Sequence, residues 1–169
     1  MYLALDNSFY IVTLIIIALC FVYILIFYTI IPLTKNSKVK KQLVSYLNGT
    51  SYTISKDKKV DADFILEVNK VKYLVKVIDV KKNCDVNISV NKTLVMYYKT
   101  ITNTLKAKEI VEVESFIKNE NKNKILLLNA KVNKISYSKN EVEVIELQAN
   151  DTVNNTKIIN YDNFEIIKK

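Results

Sequence analysis

The sequence predicts an α+β fold: a mixed-sheet domain carried behind one N-terminal transmembrane helix. Three observations predict it. An uncharged apolar run opens the chain, a helix-periodic segment follows at Lys38–Leu47, and apolar and polar residues alternate from Ala62 to Val80.

The opening run is the strongest signal. From Asn7 to Thr34 no residue is charged, and Ile11–Ile31 is dense in Ile, Leu, Val and Phe. About 20 such residues cross a bilayer. Residues 9–33 are therefore expected to form the span, residues 1–8 a short extracytoplasmic N-terminus, and residues 34–169 the domain. Tyr10 and Tyr28 stand near its two ends, where amphipathic rings suit the interface. Pro32 is expected to stop the helix. No basic segment precedes the run and no small-residue cleavage site follows it, which argues against a removed signal peptide. Lys35, Lys38, Lys40 and Lys41 flank its far end and no lysine precedes it. The positive-inside rule then puts the domain in the cytoplasm and the N-terminus outside the cell membrane, with the lipid bilayer as the partner of residues 9–33. The run carries no Asp, Glu, Lys or His for an ion path, and no small-xxx-small pair for dimerisation.

Lys38–Leu47 is expected as a helix because Val39, Leu43 and Leu47 recur at i, i+4 and i+8, with Asn48-Gly49 closing it. Thr50–Ser55 reads as a short strand, followed by a charged turn through Lys56–Lys59. In Ala62–Val68 the residues Ala62, Phe64, Leu66 and Val68 share one face, and Asp61, Asp63, Ile65 and Glu67 the other. Asn69-Lys70 makes a two-residue turn into a second strand, Val71–Val80, so the two form a hairpin. Val86–Val90 is expected as a strand. Thr93–Leu105 reads as a helix from Leu94, Tyr98, Ile101 and Leu105, and Lys106–Lys118 as a helix (Ile110, Val113, Ile117) or a strand (Val111, Val113), with the helix favoured. After a polar loop, Lys124–Ala130, Glu141–Leu147 and Thr156–Ile159 are expected strands, and Tyr161–Lys169 a terminal helix. A helix, three strands, one or two helices and further strands make an α+β domain around one mixed sheet.

Composition narrows the chemistry. The chain has one Gly, one Pro, no His, no Trp and no Arg, and Lys, Asn and Ile abound, the pattern of A/T-rich codons. An apolar fraction of 50% with 25% charged residues argues for a folded chain rather than a disordered one. Without histidine there is no Ser/His/Asp or Cys/His nucleophile and no ordinary zinc site. One glycine excludes a Gly-rich phosphate loop. Cys20 and Cys84 lie too far apart in sequence to frame a motif. A net charge of +8 favours anionic partners, nucleic acid or an anionic lipid face. Tyr97, Tyr98 and Tyr137 could stack bases, but Tyr97-Tyr98 fits a packing role better.

One pattern points to a family. Asp63-Phe64-Ile65-Leu66 followed by Tyr73-Leu74-Val75-Lys76-Val77-Ile78 resembles the core of the restriction-endonuclease-like, PD-(D/E)XK, nuclease fold. It is similar to that core in a group of uncharacterised membrane-anchored bacterial proteins. The family begins with a helix and three strands, with an Asp on the second strand and a Glu-x-Lys pair on the third, near a divalent metal. The resemblance implies Asp63 as that aspartate, with Mg²⁺ as cofactor. Lys76 and Ile78 stand where Glu and Lys should be. Lysine does not bind Mg²⁺ and isoleucine does not activate water. A shifted reading takes Asp79 and Lys81, two apart on one strand face, with Glu67 as a further carboxylate. The candidate catalytic residues are thus Asp63, Asp79 and Lys81, and the candidate metal ligands Asp63, Glu67 and Asp79. The expected function is a non-catalytic binding module, degenerate at its metal site, for a protein or nucleic-acid partner. A tethered Mg-dependent nuclease and a structural envelope or assembly protein are the alternatives.

Overall fold

A computed structural model describes residues 2–26, 31–57, 60–121, 123–148, 151–161 and 163–164, with backbone only at 2–8 and 31–36. The chain divides into two units, Met1–Lys40 and Lys41–Lys169.

The first unit holds helix α1, Tyr2–Leu25, and the start of helix α2, Ile31–Leu47. Large apolar side chains from Phe9 to Ile26 are exposed all around α1. Among the described residues no helix is long and apolar enough to cross a membrane. The described side chains of α1 begin at Phe9, and Phe9–Leu25 rises only about 25 Å against a hydrocarbon core of about 30 Å. Residues 27–30 lie outside the described residues, so the single helix expected over 9–33 is seen only as these two stretches. Pro32 lies within α2, whose helix continues past it to Leu47, so it does not stop the helix as expected. Tyr28 lies outside the described residues.

In the second unit, α2 ends as its periodicity predicts. Leu43 and Leu47 are fully buried, and Gly49 takes φ +86° just beyond the helix, with the Thr50 N–H on Leu47 O. Among the described residues eleven strands follow. They are β1 Tyr52–Ser55, β2 Phe64–Val68, β3 Val71–Ile78, β4 Asp85–Ile88, β5 Leu94–Lys99, β6 Leu105–Ile110, β7 Lys124–Leu128, β8 Lys134–Ser138, β9 Val144–Glu146, β10 Thr152–Val153 and β11 Thr156–Ile159. A 3-10 turn, Val111–Val113, leads into a five-residue helix, α3 Glu114–Lys118. The mixed α+β class holds, but the strands build two mixed sheets, not one. The first runs β1-β2-β3-β7-β11-β10 and the second β6-β5-β4-β8-β9. In the first, β1, β2 and β3 form an antiparallel meander, and β7 and β11 then add parallel.

The β2–β3 hairpin forms in the predicted register, with Val68 opposite Val71 and Phe64 opposite Val75. Asn69 and Lys70 both take positive φ, 52° and 68°, the geometry of a two-residue turn that follows strand twist. Asn154 and Asn155 repeat it between β10 and β11 at 51° and 59°. A chain with one glycine here uses asparagine, whose short amide tolerates the left-handed region.

Strand β7 is buried at every position, so both its faces are covered and its apolar run needs no alternation. Leu126 and Leu128 join one core with Ile78 on β3, Val86 and Ile88 on β4, Leu94 and Met96 on β5, and Phe116 and Ile117 on α3. That core lies between the two sheets. On the opposite face of the first sheet, Ile125 and Leu127 align with Val75 and Val77.

Three further expectations are corrected. Thr93–Leu105 is a strand and a turn, because Leu94, Met96 and Tyr98 alternate onto the core face. Lys106–Lys118 is helical only at its end. Glu141–Leu147 yields just the exposed three-residue β9. The terminal helix expected at Tyr161–Lys169 lies almost wholly outside the described residues.

Candidate functional site

The nuclease-like positions lie where β2 leaves its preceding loop and crosses β3. Asp63 directly precedes β2. Its N–H donates to Val75 O (2.9 Å), and its Oδ2 accepts from the Val77 N–H (2.7 Å). The carboxylate therefore satisfies a backbone donor of β3 beyond the end of the β2 ladder.

Its neighbour Asp61 is the better-connected group, and the sequence pattern gives no sign of it. Lys76 Nζ donates to Asp61 Oδ1 at 2.5 Å, and Ser115 Oγ on α3 donates to Oδ2 at 2.6 Å. The Lys76 ammonium also lies 5.8 Å from the Phe116 ring centroid. Lys76, which the sequence resemblance sets against a metal-binding glutamate, thus ties the loop before β2 to α3. Only 15% of its side chain remains exposed. Ile78, which the resemblance sets against a lysine, is fully buried in the core.

The Lys76 and Ser115 hydrogen bonds hold the Asp61 carboxyl below the usual carboxylate range, against a smaller opposing effect of burial. A folded-state value below the unfolded one contributes stability above the unfolded value, near pH 3.9, and loses it as pH falls through the lowered folded value. Asp61 is 46% exposed, so solvent screens the pair. Asp61→Asn is expected to cost about 1 kcal/mol at neutral pH. In urea titrations the gap between the two proteins should close on acidification below about pH 3. A gap that persists there would assign the effect to packing rather than charge.

The remaining candidates do not join Asp63. Glu67 lies four residues along β2, roughly 13 Å away at strand rise, and ion-pairs Lys72 on β3 at 4.0 Å. Asp79 follows β3, and its Oδ1 accepts from Asn129 Nδ2 at 2.7 Å. Lys81 sits in the next loop, where its N–H donates to Met96 Sδ (3.1 Å) and its Nζ stacks 3.6 Å from the Tyr98 ring centroid. Mg²⁺ needs oxygen ligands within about 2.1 Å of one point. Among the described residues no group of three His, Cys, Asp or Glu side chains could hold a metal ion. The carboxylates proposed for Mg²⁺ thus do not fit the ion as they stand.

Two features were not visible in sequence. A polar cleft of about 250 Å³ opens beside β8 and β9, lined by Asn133, Lys134, Glu146, Gln148, Asp151 and Asn160 among others. Its polar groups are engaged with one another or with backbone. Lys134 pairs with Glu146 at 3.1 Å, Asp151 accepts from the Gln148 N–H, and Asn160 holds both the N–H and the C=O of Val132. The second feature is Lys124, the first residue of β7, which is 1% exposed. Its Nζ donates to Ile117 O (2.6 Å), Phe116 O (3.2 Å) and Asn119 O. A lysine opening a strand reads as solvated in sequence. No spacing rule links it to a helix end five to eight residues upstream.

Comparison with protein families, with curated proteins and with solved structures gives no match to this chain.

Proposed function

We propose that the chain is a membrane-tethered binding module whose nuclease-like domain is non-catalytic. In this reading α1 crosses the membrane once, N-terminus outside, and the domain faces the cytoplasm. The observation that carries it is α1 itself. Its backbone helix has 24 residues, about 36 Å, and its described side chains are apolar and exposed on every side. A helix apolar all round needs an apolar surrounding, and a bilayer supplies one. Lys35, Lys38, Lys40 and Lys41 give the orientation.

The order α2, β1, β2, β3 supports the resemblance to the nuclease fold. The engagement of Asp63, Lys76 and Ile78 in structural contacts supports a binding rather than a catalytic role. The test has two arms. The chain should stay in the membrane fraction through alkaline carbonate extraction, with a C-terminal tag digested by protease only in inside-out vesicles. The purified chain should leave DNA and RNA intact with Mg²⁺ or Mn²⁺. Carbonate-soluble protein would overturn the tether. Metal-dependent cleavage that disappears in Asp63→Ala would overturn the non-catalytic reading.

A further inference from the structure

The β5–β6 hairpin carries a surface that the contacts described so far do not use. Its five-residue connection, Thr100–Thr104, is tied by its own groups. The Thr100 N–H donates to Thr104 O (2.9 Å) and the Asn103 N–H to Thr100 O (2.9 Å), while the Thr100, Thr102 and Thr104 hydroxyls chain together. Asn103 takes φ +59°, which turns the chain back. This turn holds Ile101 at 107% exposure and leaves Leu105 at 65%, so two large aliphatic side chains project from a fixed tip with nothing packed on them.

Lysines surround that tip. Lys106 is paired across the ladder with Tyr98, and Lys108 with Met96, so all four share the face of the sheet that Met96 turns to the core, and the two lysines stand exposed along its β6 edge. Lys81 joins them there, its Nζ over the Tyr98 ring. Lys99 and Leu105, paired with each other at the end of the hairpin, both lie on the other face. The nearest acids along these strands, Glu109 and Asp85, sit opposite Val95 and Tyr97 and so point to that other face. Among the described residues no carboxylate pairs with Lys81, Lys106 or Lys108. Three ammonium groups gathered without a counter-ion are complementary to an anionic surface, and an aliphatic tip beside them is complementary to acyl chains.

We propose that the β5–β6 hairpin docks on an anionic lipid surface, with Ile101 and Leu105 entering the headgroup–acyl boundary and Lys81, Lys106 and Lys108 meeting lipid phosphates. A lipid occupant accounts for both halves of the surface. A nucleic acid would use the lysines but gain nothing from a projecting isoleucine, and the Tyr98 face on which a base could stack is covered by Lys81. Near an anionic bilayer each lysine contributes roughly fivefold in affinity, so three contribute about 100-fold. The inference deepens the tethered-module reading, since a tether raises the effective concentration of the hairpin at the lipid face.

The chain has no tryptophan, so Ile101→Trp introduces a single reporter. The full-length variant is reconstituted into vesicles of phosphatidylcholine, alone or mixed with phosphatidylglycerol, with brominated acyl chains as quencher. Blue-shifted, bromine-quenched emission is expected only with phosphatidylglycerol. It should be reversed by salt and lost when Lys81, Lys106 and Lys108 are all changed to Gln. Val142→Trp, at a position 93% exposed on another turn, controls for the affinity of indole itself and should stay unquenched. If the Ile101→Trp chain floats with both vesicle types yet its indole stays unquenched, the hairpin inference is overturned and the tether spared. Flotation only with phosphatidylglycerol, with that indole quenched, overturns the tether and spares the hairpin. Quenching by an added oligonucleotide in place of lipid overturns the lipid assignment.

Discussion

Lys124→Met is expected to destabilise the domain strongly. The methionine keeps the length of the buried stem and removes only the ammonium, so packing loss is small and the polar loss stands alone. Helix α3 has five residues, too few to satisfy its own last carbonyls. Lys124 donates to Phe116 O, Ile117 O and Asn119 O from a position 1% exposed. Burial, and to a smaller extent the Lys92 charge, push its ammonium below the ordinary lysine value. Removing the donor leaves three acceptors facing an apolar side chain in a site closed to water. A cost of about 3 kcal/mol follows, with a fall in Tm of roughly 10 °C for a unit of this size. Urea denaturation of the purified chain gives the first quantity. Hydrogen exchange gives the location, since α3 amides should lose protection before those of β2 and β3. A loss below about 0.5 kcal/mol would mean that water reaches these carbonyls.

What sequence could reveal of this fold depended on how local each cause is. The helix closing at Gly49 and the Asn69-Lys70 hairpin are set by residues a few positions apart, and both formed where periodicity placed them. Thr93–Leu105 misled because it satisfies two periods at once. Leu94, Tyr98, Ile101 and Leu105 lie at helical spacing, while Leu94, Met96 and Tyr98 alternate. Asn103, with φ +59° amid hydrogen-bonded threonines, decides for a turn. That difference moves Ile101 and Leu105 from a supposed core to an exposed tip. The division into two sheets was not legible, because it depends on which distant strands pair. β3 takes β7 as its parallel neighbour, Ile78 beside Leu128, across the whole second-sheet meander.

The candidate site was legible only in its residue types. Asp63 was identified in sequence, but its role as acceptor for the Val77 N–H follows from register. Asp61 passed as one more polar residue on the outward face of a strand. Its partner Ser115 is 54 residues away, a separation at which single-sequence patterns carry no information. Lys76 and Ile78 were recognised as departures from the nuclease pattern, and the structure supplies their physical use: one closes an ion pair over Phe116, the other fills the core. A lysine in place of the core-buried Ile78 carries a large desolvation cost. Introducing a Glu-x-Lys pair at positions 76 and 78 should therefore unfold the domain.

A graded loss of membrane insertion is expected as charges are placed in α1. Thirteen Ile, Leu, Val and Phe side chains lie exposed from Phe9 to Ile26. At roughly 0.3–0.6 kcal/mol each they favour insertion by about 4–8 kcal/mol in total, and an aspartate near the centre opposes it by about 3. Ile17→Asp alone should leave most of the chain resistant to carbonate, because the remaining apolar residues outweigh one charge. Leu14→Asp with Ile17→Asp should bring the sum near zero and split the protein between pellet and supernatant. Adding Phe21→Asp should leave it in the supernatant. These positions lie in the first unit, which contributes no strand, so the domain's urea midpoint is expected to stay unchanged across the series. A peripheral attachment behaves otherwise: the wild type would already be carbonate-soluble, and no gradation with charge number would appear. The number of aspartates needed to release the chain therefore measures how much of its membrane affinity resides in α1.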